Sequence, residues 1–358
     1  MSVSIDEISL QADSCRRVFL TATALVALLA LVALLSFTHG VNPGSERTRC
    51  GDARPRDRGR GVDPTQDSLV VIHIRLPRLV LGIMIGAALA ISGALMQGLF
   101  RNPLADPGLA GVSAGAGLGA ALAIVLRDRL PQGLAGLGSS ALPVADFIGA
   151  LAATSTLYAV ATRGGRTSVA TMLLAGVALA ALASSFIGIL AYASDDRQLR
   201  DLTFWSMGSL GGANWVKVAA LAPVTAVMIA AAPFLSRGLN ALALGEAEAF
   251  HLGVRLQRLK AAIVFLVATA VGANAAAAGV ISFVGIVAPH AVRLVAGPDH
   301  RALLLLSIAV GAILLVGADV LARTLVSPAE MPIGVLTAAI GTPFFLWLLM
   351  RRGGGFVV

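Results

Sequence analysis

Long apolar runs, separated by short polar clusters, fill most of this chain. Ten of them are long enough to be considered as membrane crossings: 18–38, 79–99, 110–126, 142–162, 169–192, 215–235, 259–278, 280–296, 302–322 and 333–350. A hydrocarbon core about 30 Å thick needs roughly 20 apolar residues of helix, at about 1.5 Å of rise each. The runs are continuous rather than alternating, so they predict helices and not the strands of a membrane β-barrel. The expected fold is therefore all-α, a polytopic membrane protein of about ten transmembrane helices, with residues 1–358 forming one transmembrane domain. The first run, 18–37, is longer than a signal-peptide core and has no evident cleavage site, which predicts a retained helix.

Composition supports this reading. Hydrophobic residues make up 57% of the chain and charged residues only 13%, against about 25% charged in soluble domains. The net charge of +8 does not point to nucleic acid, because the basic residues are spread over many short loops instead of one face. Of the 27 basic residues, only Lys217 and Lys260 are lysine. Placing the N-terminus inside puts 13 basic residues on the cytoplasmic side and 14 outside, so the positive-inside rule does not decide the orientation. Six of the outer arginines lie within 47–60, part of a Gly/Pro/Arg-rich loop at 41–66; without them the count is 13 to 8 in favour of an inside N-terminus. That orientation puts 41–66 in the periplasm and the longest polar loop, 237–260, in the cytoplasm.

Several kinds of chemistry are missing. Cys15 and Cys50 flank the first run, on opposite sides of a membrane, and could not pair. No His/Cys cluster predicts a bound metal, and no permanently bound cofactor is expected. No phosphate-binding GxxxxGK[ST] loop occurs, so the chain is not expected to hydrolyse ATP itself. An ion-coupled transporter would need acids or lysines at mid-membrane, and an intramembrane hydrolase would need a Ser/Lys, Ser/His or HExxH set. Neither is evident. Asp319 and Arg323, one turn apart, could pair with each other, and His290 reads as a packing or hydrogen-bonding residue. Small residues at Gly82, Gly86 and Gly93, and again at Gly111, Gly115, Gly117 and Gly119, predict close helix packing.

Four ordered segments carry a resemblance. The first is Arg75-Leu-Pro-Arg78, followed by the Gly86 to Gly93 stretch and Gln97. The second is Arg101-Asn-Pro-Leu-Ala-Asp-Pro-Gly108 with Gly111-Val-Ser-Ala-Gly115. The third is Ala243-Leu-Gly-Glu-Ala-Glu-Ala-Phe-His-Leu-Gly253. The fourth runs from Phe283-Val-Gly-Ile-Val-Ala-Pro-His290 through Gly297-Pro-Asp-His-Arg301 and Ala318-Asp-Val-Leu-Ala-Arg323 to Gly341-Thr-Pro-Phe-Phe345. From about residue 70 onward the chain resembles the FecCD-type permeases, which import iron-siderophores, heme and cobalamin; the 41–66 loop departs from that pattern.

The resemblance implies a bacterial inner-membrane subunit working with a second copy of itself, two ABC ATPase subunits and a periplasmic substrate-binding protein. It implies that Arg75, Arg78 and Arg323 receive carboxylates of the binding protein at the outer face, as arginine forks suit. It implies a cytoplasmic gate at Asn102 and Leu104, with a second gate position at Ser168 and Thr171. It implies that Gly245, Glu246, Ala247, Phe250, Leu252 and Gly253 form the coupling helix that docks on the ATPase. The stretch from Leu199 to Leu210 around Trp205, with the 297–301 segment and Phe344-Phe-Leu-Trp347, most resembles heme permeases. Heme is thus the expected cargo, ahead of ferric siderophore and cobalamin. Arg197 and Arg200 could meet its propionates briefly, and no His or Met pair demands a ligating role in the pathway.

Overall fold

The computed structural model describes residues 5–38, 69–127, 140–326 and 329–351. The arginine-rich 47–60 segment and Cys50 lie outside the described residues. The chain forms α1 (Ile5–Thr38), then a π-helical turn (Val71–Arg75) running into α2 (Leu76–Phe100). After α3 (Val112–Val125) and α4 (Ala141–Ala161) comes a two-strand hairpin, β1 (Thr162–Arg163) and β2 (Arg166–Thr167). Then follow α5 (Val169–Tyr192), α6 (Asp196–Met207), α7 (Trp215–Ala243), α8 (Glu246–His251), α9 (Leu256–Ala278), α10 (Val284–Ala296), α11 (His300–Thr324) and α12 (Ile333–Arg351).

Each of the ten apolar runs carries a helix, and seven helices among the described residues are long and apolar enough to cross a membrane. The other three, α3, α10 and the apolar part of α12, are shorter. Two of these are shortened by local chemistry. Ahead of α3, Pro103 and Pro107 forbid a continuous helix and Gly111 adopts φ 70°, so 101–111 is spent on turns. Ahead of α10, residues 279–282 are non-helical and Phe283 sits at φ 68°.

The centre of the bundle is α2, which is buried at nearly every position from Leu79 to Phe100. It packs along α11, α7, α9 and α10. Two of these crossings are backbone on backbone. A Cβ added to Gly86 would overlap the Gly311 carbonyl, and one added to Gly93 would overlap the Gly285 carbonyl. Lipid offers no hydrophobic drive between helices, so this close approach supplies the dispersion contact that holds them. Gly115 meets Gly149 in the same way where α3 crosses α4. In contrast α5 stands at the margin, with Leu174, Val177 and Ile189 exposed and Tyr192 94% exposed.

Helix α6, which the hydropathy pattern leaves unassigned, is an amphipathic segment opened by a capping box between Asp195 and Gln198. Its far end enters a junction of three chain segments. The Ser209 amide donates to the Ala278 carbonyl (2.7 Å), and the Ile333 amide donates to the Gly208 carbonyl (3.0 Å). Side chains at Gly279 or Gly334 would overlap the carbonyls of Trp205 and Met207.

Candidate functional sites at the two ends of the bundle

The chain turns out of α7 through Gly245 (φ 127°) into the single-turn-and-a-half helix α8 and leaves it through Gly253 (φ 79°), conformations open to glycine. Ala249 is buried against the bundle, while Ala247, Phe250 and Leu252 are exposed. Beside α8 runs a groove of 1120 Å³, lined by the hairpin (Arg166), by α8 (Phe250) and by Arg255 and Arg258. The helix is fastened from beneath. Glu246 forms an ion pair with Lys260 (2.8 Å), Lys260 also donates to the Thr167 carbonyl (2.9 Å), and the Thr167 amide donates to Gln257 Oε1 (2.9 Å).

The expected gate residues lie in capped turns at this same end. Arg101 closes α2 in a left-handed conformation, and Asn102 Oδ1 accepts from the Leu104 amide (2.9 Å). Ser168 caps α5, its Oγ accepting from the Thr171 amide (3.3 Å). The 297–301 segment also caps. Asp299 opens α11 by accepting from the Arg301 amide and from Asn240 Nδ2, and Asn240 Oδ1 accepts from the His300 amide. Burial works to raise the Asp299 carboxyl, but these bonds and the Arg301 charge win and hold it below the ordinary carboxylate value.

At the opposite end the three arginines differ. Arg75 is half-buried and donates to the Phe37 carbonyl. Arg78 and Arg323 are buried and share one carboxylate, Asp319, at 2.8 and 3.1 Å. Thus the expected Asp319–Arg323 pair forms and gains a second cation. Arg78 also makes a two-pronged bond with Glu330 (2.8 and 3.1 Å), and Arg323 reaches the Ser36 hydroxyl (2.9 Å). The sequence reading found neither Glu330 nor Ser36; no spacing rule links residues so distant along the chain.

The spans also hold more buried ionisable residues than expected. Asp146 in α4 is fully buried and accepts from Trp205 Nε1 (2.9 Å), and Lys260 at the start of α9 is 1% exposed. Asp146 therefore ties α6 to the bundle, and Trp205, singled out in the sequence, is its partner; Arg197 and Arg200 lie exposed on α6. His290 is buried and packs edge-on against Phe344, ring centroids 6.0 Å apart.

Comparison with known proteins gives this geometry its context. The profile of the FecCD transport family matches residues 20–351. The chain is 43% identical, over 92% of its length and 94% of the relative's, to the hemin transport system permease protein HmuU of Yersinia pestis. It is 45% identical over 81% of its length and 75% of the relative's to the cobalamin import system permease protein BtuC of Halobacterium salinarum. To the vitamin B12 import system permease protein BtuC of Klebsiella pneumoniae it is 39% identical over 96% of its length and 97% of the relative's. Among solved structures, an inward-facing metal-chelate type ABC transporter covers 92% of this chain and 98% of its own at TM-score 0.76 and 30% identity. On a family match that runs through nearly all the helices, this chain belongs to the FecCD transport family.

Proposed function

We propose that this protein is the permease of a binding-protein-dependent ABC importer that carries heme from periplasm to cytoplasm across a bacterial inner membrane. The coarser statement, a permease subunit of a metal-chelate, heme or cobalamin importer, follows from family membership. Heme is favoured by one observation, the 43% identity to a hemin permease along almost the whole of both chains. A cobalamin reading has its own support in the BtuC relatives, one of them 45% identical over a shorter stretch.

In this reading two copies enclose a central pathway. The exposed apolar residues of α8, with Glu246, dock on an ATPase subunit, and the turns at Asn102, Leu104, Ser168 and Thr171 close the cytoplasmic mouth. At the outer face the half-buried Arg75 meets a carboxylate of the binding protein, while Arg78 and Arg323, buried against Asp319, brace that surface from within. ATP binding and release by the partner favour different arrangements of one bistable pathway, which alternates its access. The permease supplies no hydrolytic chemistry; it holds, opens and closes a route. Asp146, a buried acid within a span, is engaged by Trp205, and Asp319 by Arg78 and Arg323, which suits structural roles better than ion coupling.

The test is uptake into proteoliposomes that contain this protein and its ATPase, supplied with heme-loaded, ferric-siderophore-loaded or cobalamin-loaded binding proteins. ATP-dependent uptake of heme is the expected result. Uptake of cobalamin or a siderophore without heme would overturn the cargo and leave the permease standing. Replacing residues 245–253 by a Gly/Ser stretch should abolish association with the ATPase, and Arg75→Glu should weaken binding-protein affinity in a salt-dependent way.

A further inference from the structure

We infer that Lys260 is a positioning residue that makes the coupling helix α8 and the turn leading to Ser168 and Thr171 move as one piece. The inference rests on the importer reading above, in which α8 meets the ATPase and that turn flanks the inner gate.

The ground for it is the geometry beneath α8. Lysine is rare in this chain, two among 27 basic residues, so a buried lysine here is not an interchangeable surface cation. Its ammonium group meets two acceptors on different elements: the Glu246 carboxylate on α8 (2.8 Å) and the Thr167 carbonyl on β2 (2.9 Å). One helical turn earlier, Gln257 accepts from the amide of the same Thr167 (2.9 Å). Both polar groups of the Thr167 backbone are therefore held by α9. The next residue, Ser168, bonds the Ala161 carbonyl through its amide and caps α5 through its hydroxyl. A short covalent step thus joins the α9 anchorage to the head of α5.

Physical chemistry makes this link stiff. A buried ammonium deprived of its counter-ion is severely destabilised, so α8 cannot withdraw Glu246 from α9 unless Lys260 follows. If Lys260 follows, the Thr167 carbonyl must follow or be left unpaired. A lysine suits the place better than an arginine, because its compact charge can serve two acceptors that do not present the parallel geometry of a guanidinium fork. The Glu246 side chain is 45% exposed on its outer side. A partner docking on α8 would cover it, reduce its screening by water, and tighten the pair when force is to be transmitted.

The experiment compares the wild type with Glu246→Gln, Lys260→Met and the double variant, in proteoliposomes with the ATPase and a loaded binding protein. Substrate moved per ATP hydrolysed should fall about ten-fold in each single variant and no further in the double, as expected for two groups acting as a unit. Spin labels at the exposed positions 163 and 251, in a background with Cys15→Ser and Cys50→Ser, give a second readout. Their distance should be single and narrow in the wild type through the ATP cycle, and broad in both variants. Wild-type stoichiometry with a narrow distance in the variants would overturn the inference. The double variant decides the matter if a single variant does not accumulate, because it removes both charges and leaves no unpaired ammonium buried. If the Gly/Ser replacement of 245–253 binds the ATPase as well as the wild type does, the docking reading fails first and this inference with it. If only the two point variants behave like wild type, docking stands and the inference alone falls.

Discussion

Asp319→Asn is the most revealing single change at the arginine end of the bundle. The carboxylate is 2% exposed and lies between Arg78 and Arg323, themselves 9% and 6% exposed. Asparagine preserves the shape and removes the charge, which leaves two buried cations facing one another. Glu330 compensates Arg78 from a partly open position, but Arg323 keeps only neutral partners, the Ser36 hydroxyl and carbonyl and the backbone carbonyl of residue 319. Breaking a buried pair at one partner costs about 3–5 kcal/mol, and at about 2–4 °C per kcal/mol the variant should unfold roughly 6–20 °C lower. Glu330→Gln removes a partner that water can replace, so it should cost about 0–1 kcal/mol and under roughly 4 °C. Thermal unfolding of detergent-purified protein, followed by loss of the monodisperse peak in gel filtration, measures both. The double variant Asp319→Leu, Arg323→Leu should recover most of the loss, because it removes both ends of one pair. If Asp319→Asn melts within roughly 2 °C of wild type, or Glu330→Gln costs more, the account of a charge-balanced buried cluster is wrong.

Other outcomes follow from features at separate places in the bundle. Gly93→Ala puts a methyl into the Gly285 backbone and should destabilise by about 1–3 kcal/mol or more, whereas Gly317→Ala, which meets nothing within 4 Å, should be neutral or stabilising by up to about 1 kcal/mol in the same melting assay. Trp205→Phe leaves the buried Asp146 without its donor; it should cost about 1–3 kcal/mol and loosen α6, seen as faster proteolysis between α5 and α7. Asp299 is lowered below its ordinary value of 3.8, so its capping stabilisation is present at neutral pH and lost as pH falls through the folded-state value. The melting difference between wild type and Asp299→Ala should therefore hold constant down to about pH 4 and shrink below it; a difference that grows on acidification would refute the assignment.

The long helices were legible because a membrane demands a long apolar stretch, and that demand writes itself into consecutive residues. The same holds for α8, whose flanking glycines and charged, apolar-tipped run announce a short helix. Resemblance located the two polar ends, where local periodicity could not. What stayed hidden was long-range and polar. Asp319 and Arg323 are one turn apart and were read as a pair, yet Arg78 and Glu330 join them from other parts of the chain. Asp146 lay inside a run apolar enough to pass as unbroken, and only the fold reveals Trp205 opposite it. Helix α6 escaped because its pattern is amphipathic and short, and its stability comes from a cap and a tryptophan anchor rather than from hydropathy.

The junction at Gly208 sets an order on how the protein can be made. Its two backbone bonds come from Ala278, at the end of α9, and from Ile333, at the start of α12. The ribosome delivers the chain from the N-terminus, so α6 is synthesised long before either partner exists. Until α12 emerges, the Gly208 carbonyl must be satisfied by water or by the insertion machinery, and the C-terminal end of α6 stays unanchored on that side. Closure of this junction is thus a late event in biogenesis, and it requires the last helix to reach a slot kept clear by glycines at 279 and 334. A bulkier residue at either glycine would be felt first as a chain that inserts its helices but fails to mature, and only afterwards as a defect in transport.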